Sequence, residues 1–164
     1  MQGRKNPLIF LIEDSTVYKD LIVGYLQSKK FSNLKIFKNG EECLRHIHLN
    51  PDVIILDYSS EGINGLELML QVERENSQID FIFLSAQNNV DIAVRIMKLG
   101  AADYLVKNDQ APKKLVESLE RLKESTTREK KSYGFKVGVI GFFILLFLII
   151  MVITFLSVFF DMGL

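Results

Sequence analysis

The feature that most constrains the fold is a series of short, largely apolar runs, each followed by a polar residue and then by a helical pattern. A short continuous apolar run is typical of a strand that is buried on both faces. Strands that alternate regularly with helices predict an α/β domain, in which helices cover both faces of a parallel sheet. The five predicted strands are residues 8–12, 34–37, 53–56, 81–84 and 104–106.

The segments between these runs contain the signals expected at helix ends. Ser15 or Asp14 can cap the first helix. Gly100 can close the fourth helix, and Pro112 can begin the last one. The apolar residues of the first helix predict an inner side that carries Val17, Leu21, Ile22 and Leu26.

Charge divides the chain into two parts. All 20 Lys and Arg residues lie at or before Lys136, and residues 137–160 carry no charge. An uncharged apolar segment of this length can cross a bilayer, where a helix is the structure that satisfies its backbone. We therefore expect a folded domain of residues 1–125, a basic linker of residues 126–136, a transmembrane helix of residues 137–160 and a short tail of residues 161–164.

The charges that flank residues 137–160 predict an orientation. Several basic residues precede the segment, and one acidic residue, Asp161, follows it. The positive-inside rule then predicts a single-pass protein of the cytoplasmic (inner) membrane with its N-terminal domain in the cytoplasm and with membrane lipid as a partner. Gly134, Gly138 and Gly141 could let two helices approach closely, which leaves a homodimer open.

Composition excludes several other functions. The 20 basic residues balance 20 acidic ones, so nothing in the net charge favours nucleic acid as a partner. The single cysteine, Cys43, excludes an intrachain disulfide. His46 and His48 do not combine with Cys43 into the spacing of a metal site, and we expect all three to be structural or surface residues.

Polar and charged residues lie at the ends of four predicted strands. Glu13 and Asp14 follow the first strand, Asp57 the third, Ser85 the fourth and Lys107 the fifth. The carboxyl ends of parallel strands meet at one edge of the sheet, where such folds bind their ligands. Three carboxylates repel one another unless a cation neutralises them, and Mg²⁺ suits a site of carboxylate and carbonyl oxygens. The sequence therefore predicts a magnesium site.

The same residues suit phosphoryl transfer, which depends mainly on positioning and on electrostatic stabilisation. An aspartate can be the acceptor and form an acyl phosphate, and Asp57 is the expected nucleophile. We expect Lys107 to stabilise the phosphoryl oxygens and Ser85 to donate a hydrogen bond to one of them.

Four motifs resemble the receiver domain of bacterial response regulators, the phosphorylated partners in two-component signalling. They are FLIEDS (10–15), IILDYSSEGINGLEL (54–68), FLSA (83–86) and GAADYLVK (100–107), and the resemblance covers residues 6–125. It implies a flavodoxin-like sheet of five parallel strands. It also implies a phosphoacceptor rather than an enzyme, although slow hydrolysis of its own aspartyl phosphate is allowed.

The resemblance implies specific partners and roles. Asp57 would take its phosphoryl group from a phosphohistidine on a histidine kinase or a phosphotransfer protein. Magnesium would be held by Glu13, Asp14 and Asp57 together with the backbone carbonyl of Ser59. Ser85 and Tyr104 would form a switch pair, in which Ser85 moves toward the phosphate and Tyr104 turns inward. Because no DNA-binding domain is recognised, we expect the phosphorylated domain to act by changing its contacts with another protein. The sequence does not identify that protein.

Two residues depart from the family pattern. Glu61 and Asn108 stand where the family commonly has proline, so we expect no cis peptide bond after Lys107. Two alternatives stay open at this point. The domain could be a docking scaffold that does not depend on phosphorylation, or a metal-dependent hydrolase. Hydrolases with an aspartate nucleophile typically have a second aspartate two residues later, where this chain has Ser59.

Overall fold

The structure is a computed structural model that describes residues 6–59, 63–76 and 78–161. Side chains are described for residues 6–59, 63–76, 78–125 and 142–152. The chain forms two compact units, Met1–Thr126 and Thr127–Leu164, and each is considered by itself.

Strands and helices alternate throughout the first unit. The elements are β1 (Ile9–Ile12), α1 (Thr16–Ser28), β2 (Leu34–Phe37), α2 (Gly40–Arg45), a 3-10 turn (Ile47–Leu49), β3 (Val53–Asp57), α3 (Gly65–Glu75), β4 (Asp80–Ser85), α4 (Val90–Lys98), β5 (Asp103–Val106) and α5 (Ala111–Asp161). All five predicted strands are present, and their ends differ from the predicted ones by at most one residue.

The five strands form one parallel sheet in the order β2-β1-β3-β4-β5. This is the flavodoxin-like order, and the prediction of that fold for the first unit is confirmed. The direction in which strands are added reverses between β1 and β3. Ligands of such folds bind at this reversal, outside the carboxyl ends of the strands.

Both faces of the sheet are covered, which explains why its strands are continuous apolar runs. On one face, Phe10, Ile54 and Phe83 pack with residues of α2, α3 and α4. On the other face, Leu11 and Ile55 pack with residues of α1 and α5. Because successive strand residues point to opposite faces, a strand between two helical layers needs apolar residues at every position.

The inner side of α1 differs in part from the predicted one. Ile22 and Leu26 are fully buried as expected, but Val17 is 83% exposed and Leu21 is 52% exposed. The buried side continues instead to Tyr18, which packs against the same core. Residues 18, 22 and 26 are spaced four apart and share one helical face, whereas residues 17 and 21 lie on the neighbouring face.

Serine, asparagine and glycine residues fix the helix ends near the sheet. The side chains of Ser15, Asn64 and Asn89 accept hydrogen bonds from the first turns of α1, α3 and α4. Gly100 follows α4 with φ of +104°, in the left-handed region that favours glycine. At Gly65 a Cβ atom would lie 2.6 Å from Leu56 Cδ1, so α3 begins in close contact with β3.

Helix α5 includes the described part of the second unit. Its side chains from Phe142 to Val152 are all apolar, and each is 43–64% exposed. Within the described residues, we find no helix that is both long enough and apolar enough to span a bilayer. The linker side chains of residues 126–136 and much of the segment predicted at 137–160 lie outside the part whose side chains are described, as do residues 162–164 of the tail. The transmembrane helix therefore stays a prediction.

Candidate functional site

The predicted site residues meet at the carboxyl edge of the sheet. Glu13 and Asp14 directly follow β1, Asp57 ends β3, Ser85 ends β4 and Lys107 directly follows β5. The strands pair in register up to this edge, for example Asp57 with Leu84 and Ser85 with Val106. Parallel pairing therefore gathers side chains that lie far apart in the sequence.

Lys107 is at the centre of the site. Its Nζ donates to Asp57 Oδ2 at 2.7 Å and to Glu13 Oε2 at 2.8 Å. Glu13 is 3% exposed and Asp57 is 5% exposed, so both carboxylates are largely removed from water. One ammonium group thus bridges two buried carboxylates, which would otherwise repel each other.

The second oxygen of each carboxylate is bound by the backbone. Glu13 Oε1 accepts from the N–H of Ser15 at 3.1 Å, and Asp57 Oδ1 accepts from the N–H of Ser59 at 2.9 Å. The loops after β1 and β3 therefore fix the orientation of both side chains. The hydrogen bond from the Ser59 N–H places the backbone of Ser59 beside Asp57. That the carbonyl of Ser59 binds magnesium stays a prediction.

Burial and charge shift the pKa values within the site. Burial raises the pKa of Glu13, the Lys107 ammonium opposes this rise, and the neighbouring Asp57 adds to it. Burial alone would lower the pKa of Lys107, but the hydrogen bonds and charges of Asp57 and Glu13 outweigh it, so the pKa is raised. The lysine is therefore held in its charged form beside the two acids.

Asp14 completes an acidic cluster. Single carboxylate oxygens of Glu13, Asp14 and Asp57 lie within 4.8 Å of one another, and Asp14 is exposed. Among the described residues, this is the only such group of three or more acidic, histidine or cysteine side chains. Oxygen ligands from two buried acids and one solvent-facing acid suit Mg²⁺, which keeps several waters when it binds to proteins.

A cleft of about 350 Å³ opens beside this cluster. It lies between the loop after β1 and the loop after β2, and its lining includes Glu13, Asp14, Lys19 and Lys38. A hydrated cation can therefore approach the acids from this side.

The predicted switch residues share one main-chain partner. Ser85 is fully buried, and its Oγ accepts from the N–H of Gln87 at 3.1 Å. The hydroxyl of Tyr104 donates to the carbonyl of Gln87, also at 3.1 Å. The carbonyl of Ser85 accepts from the N–H of Lys107 at 2.8 Å. Ser85 and Tyr104 are thus both hydrogen-bonded to Gln87 in the loop after β4, and Ser85 is also hydrogen-bonded to the backbone of Lys107.

Tyr18 belongs to the site and was not predicted from the sequence. The centre of its ring lies 4.5 Å from Lys107 Nζ. Its hydroxyl is buried without a hydrogen-bond partner in the described part of the chain. Burial, with smaller effects from Glu13 and Asp57, raises the pKa of Tyr18 to about 12. The spacing of Tyr18, Ile22 and Leu26 was the available signal for its inward position.

The two departures from the family pattern have different outcomes. No described residue follows a cis peptide bond, as expected for the Lys107–Asn108 bond. Asn108 instead supports the turn into α5, because its Oδ1 accepts from the N–H of Gln110 at 2.9 Å. Glu61 lies outside the described residues.

Cys43, His46 and His48 are not members of the acidic cluster; they lie on α2 and in the segment that follows it. Cys43 is buried, and burial raises its pKa to about 12, which keeps it a neutral thiol. The ring of His46 packs on Phe37, with centroids 5.2 Å apart. These contacts fit the structural role expected for Cys43 and His46, and His48 is exposed, as expected for a surface residue.

Comparison with known proteins gives a consistent result. The sequence profile of the response regulator receiver domain matches residues 9–120. The regulator MalR of Bacillus subtilis is 31% identical over 101 residues, which are 60% of this chain and 43% of that protein. The chemotaxis protein CheY of Listeria monocytogenes is 26% identical over 114 residues, 69% of this chain and 95% of CheY.

Solved structures agree on the fold. The signal receiver domain of a LuxO repressor protein from Vibrio parahaemolyticus matches with a TM-score of 0.69 and 24% identity, covering 76% of this chain and 95% of that domain. In the sequence comparison, this chain also matches the regulator YesN of Bacillus subtilis, over 36% of that protein. The chain therefore corresponds to less than half of the transcriptional regulators MalR and YesN.

Proposed function

Because the chain belongs to the response regulator receiver domain family, we propose that it accepts a phosphoryl group from a phosphohistidine onto Asp57. The donor is a histidine kinase or a phosphotransfer protein, as for response regulators in general. Magnesium is held by Glu13, Asp14 and Asp57 together with the carbonyl of Ser59. The phosphorylated domain then changes its contacts with an output protein.

The observation that carries this proposal is the position of Lys107. Its Nζ lies 2.7 Å from Asp57 Oδ2, and Asp57 is one of the three residues of the acidic cluster. In phosphoryl transfer, a bond forms between a carboxylate oxygen of Asp57 and phosphorus while the bond from phosphorus to the histidine nitrogen breaks. The electron pair of the broken bond stays on the imidazole. The Lys107 ammonium hydrogen-bonds the phosphoryl oxygens, whose charge needs stabilisation in the transition state.

Magnesium, when bound, neutralises charge on the acids and on the phosphoryl group. The chain's own groups do the remaining work. The N–H of Ser59 holds Asp57 Oδ1, which fixes the carboxylate plane. Ser85 already accepts a hydrogen bond through its Oγ, so its own hydroxyl proton can be donated to a phosphoryl oxygen.

A direct test is phosphorylation of the full chain in detergent micelles with phosphoramidate, a small phosphohistidine analogue, and magnesium. Incorporated phosphate is followed on a phosphate-affinity gel. We expect one phosphate per chain that is labile to alkali and to hydroxylamine, as for an acyl phosphate, and none in Asp57→Asn. Absence of phosphate from the folded, unsubstituted chain, or its persistence in Asp57→Asn, would overturn the proposal. The docking scaffold would then be the better description.

We also propose that residues 137–160 anchor the domain to the cytoplasmic membrane, with the receiver domain on the cytoplasmic side. The support is the uncharged sequence of this segment and the exposed apolar side chains from Phe142 to Val152. A helix that is apolar all round its circumference is typical of a membrane span.

The anchor is tested by fractionating cells that express the full chain or a chain ending at residue 126. We expect the full chain to stay in the membrane pellet after an alkaline carbonate wash and the shorter chain to leave it. Protease added to intact spheroplasts should not digest the receiver domain. Release of the full chain by carbonate would exclude a transmembrane anchor, and digestion in intact spheroplasts would reverse the orientation.

A further inference from the structure

The inference concerns Tyr18, whose aromatic ring lies against the lysine of the site. Lys107 Nζ contacts three side chains: Asp57 at 2.7 Å, Glu13 at 2.8 Å and the ring of Tyr18 at 4.5 Å from its centre. The two carboxylates bind the ammonium through its protons. The aromatic face attracts it through the negative charge density above the ring.

Local backbone bonds fix Tyr18 relative to the acidic loop. The N–H of Tyr18 donates to Ser15 Oγ at 3.4 Å, the bond that caps α1. The N–H of Ser15 in turn donates to Glu13 Oε1 at 3.1 Å. The backbone of Tyr18 and the side chain of Glu13 are therefore connected within one short hydrogen-bonded segment.

A lysine in this position needs support because its ammonium is carried on a flexible four-carbon chain. The side chain of Lys107 is only 14% exposed, so few of its orientations point to water. A wall formed by the Tyr18 face limits the ammonium to the space beside Glu13 and Asp57. Side chains held in their productive orientation lower the cost of reaching the transition state.

We propose that Tyr18 is a positioning residue for Lys107, whose aromatic face holds the ammonium where it can pass from Asp57 to the phosphoryl oxygens. This inference rests on the proposed function of Asp57 as phosphoacceptor. It assigns the effect to the ring and not to the hydroxyl, because the hydroxyl is buried and has no hydrogen-bond partner in the described part of the chain. A phenylalanine should therefore serve as well as the tyrosine.

The test compares Tyr18→Leu and Tyr18→Phe with the unsubstituted full chain in detergent micelles. The rate of phosphate incorporation from phosphoramidate is measured at saturating magnesium. A cation on an aromatic face contributes enough for a change of about 3- to 30-fold in rate. We expect Tyr18→Leu to be slower by that factor and Tyr18→Phe to stay within about twofold of the unsubstituted chain.

A second readout reports the contact itself. Protons above an aromatic face experience an upfield ring-current shift, so the ε-methylene protons of Lys107 should be shifted upfield in the unsubstituted chain and in Tyr18→Phe. The shift should disappear in Tyr18→Leu. Retention of this shift in Tyr18→Leu would show that the ring is not its source and would overturn the inference.

A matched control lies on the same helix. Tyr25 is also on α1, and its ring centre lies 5.7 Å from Lys29 Nζ, so it contacts a different lysine. We expect Tyr25→Leu to be phosphorylated at the unsubstituted rate. An equal loss of rate in Tyr25→Leu, or a normal rate in Tyr18→Leu, would assign Tyr18 a merely structural role. If Tyr18→Leu does not fold, Tyr18→Met replaces it with another flexible apolar side chain.

The two proposals fail in different ways. If the unsubstituted chain takes up no phosphate, the proposed function fails and the inference fails with it. If the unsubstituted chain and all variants at residue 18 are phosphorylated equally fast, the proposed function stands and only the inference is overturned.

Discussion

The hydroxyl groups of Ser85 and Tyr104 bind the backbone of the same residue, Gln87: Ser85 Oγ accepts from its N–H and the Tyr104 hydroxyl donates to its carbonyl, each at 3.1 Å. A movement of Ser85 toward a phosphoryl group on Asp57 would release the N–H of Gln87. The carbonyl that Tyr104 binds belongs to the same residue, so this change reaches Tyr104 directly. The pair predicted from the sequence as a switch is therefore physically connected.

Ser85→Ala should weaken binding of a phosphoryl analogue. The variant loses one hydrogen bond to a charged group, which corresponds to a loss of affinity of about 10- to 100-fold. The measurement is titration of the full chain with beryllium fluoride and magnesium, followed by the amide NMR signal of Gln87. Tyr104→Phe is the control, because it should bind with unchanged affinity and show a smaller shift at Gln87. Equal affinity in Ser85→Ala would exclude a contact between Ser85 and the phosphoryl group.

Lys107→Met should destabilise the domain, because it leaves Glu13 and Asp57 buried without their shared cation. Removal of one partner from a buried ion pair typically costs about 3–5 kcal/mol of unfolding free energy. Urea unfolding of residues 1–126 measures this loss. Magnesium should stabilise Lys107→Met more than the unsubstituted fragment, because it supplies the missing positive charge. Lys113→Met, at an exposed lysine of α5, should change the free energy by less than about 0.5 kcal/mol.

Asp14→Asn should lower the affinity for magnesium and leave folding unchanged. Asp14 is exposed and makes no contact with Lys107 among the described bonds, so we expect its charge to serve the proposed metal site and not the buried ion pair. Calorimetric titration with magnesium and urea unfolding together check both statements. Glu13→Gln should differ by losing stability as well as magnesium, since it breaks the bond to Lys107. Unchanged magnesium affinity in Asp14→Asn would remove this residue from the ligand set.

The domain should lose stability in alkaline solution. The folded pKa of Lys107 is raised, so its stabilising contribution is complete below its unfolded value near 10.5 and is lost as the pH rises through the folded value. Tyr18 acts in the same direction, because its pKa rises from 10 to about 12 and the folded state retains a proton that the unfolded state releases.

Urea unfolding of residues 1–126 between pH 9 and pH 12 tests this dependence. The window is chosen because Lys107 and Tyr18 lose their protons within it in the unfolded state. The slope should be shallower in Tyr18→Phe, which has no phenol to titrate. A stability that does not fall with pH in this window would contradict the protonation states assigned to both residues.

Gly65→Ala should destabilise the domain and slow phosphorylation. The added Cβ would lie 2.6 Å from Leu56 Cδ1 and 3.2 Å from Phe83 Cε1, so the side chain of Leu56, α3 or the sheet beside Asp57 must shift. Overpacking of this kind costs about 1–3 kcal/mol. Gly24→Ala is the matched control: nothing lies within 4 Å of its Cβ position on α1, and it should stabilise by about 0.5–1 kcal/mol. Urea unfolding measures both variants.

The sheet could be predicted well from the sequence because a strand covered on both faces is apolar at every position, and such a run is visible in a few consecutive residues. Residues 53–56 read as a strand since every side chain there is buried, and the structure confirms it. The acids and Lys107 were placed at one edge by topology alone, without any local signal that connects residue 13 with residue 107.

The prediction of the buried side of α1 was wrong for two residues, because the helical spacing of its apolar residues fits two neighbouring faces. Val17 and Leu21 are apolar at helical spacing, but they lie beside the buried row and not on it. Tyr18 was overlooked because an aromatic residue on that row is indistinguishable from an ordinary core residue in the sequence. Its contact with Lys107 depends on how β5 and α1 pack, which no local pattern contains.

Glu13 and Lys107, which share a hydrogen bond, are separated by 94 positions in the chain. Synthesis from the N-terminus delivers both buried acids long before their cation. A nascent chain that ends within β4 must therefore keep Glu13 and Asp57 hydrated, protonated or bound to metal until their lysine partner is synthesised. We expect emergence of β5 to be the step that commits the nascent domain to its folded state, with the lysine acting first in folding and only later in signalling.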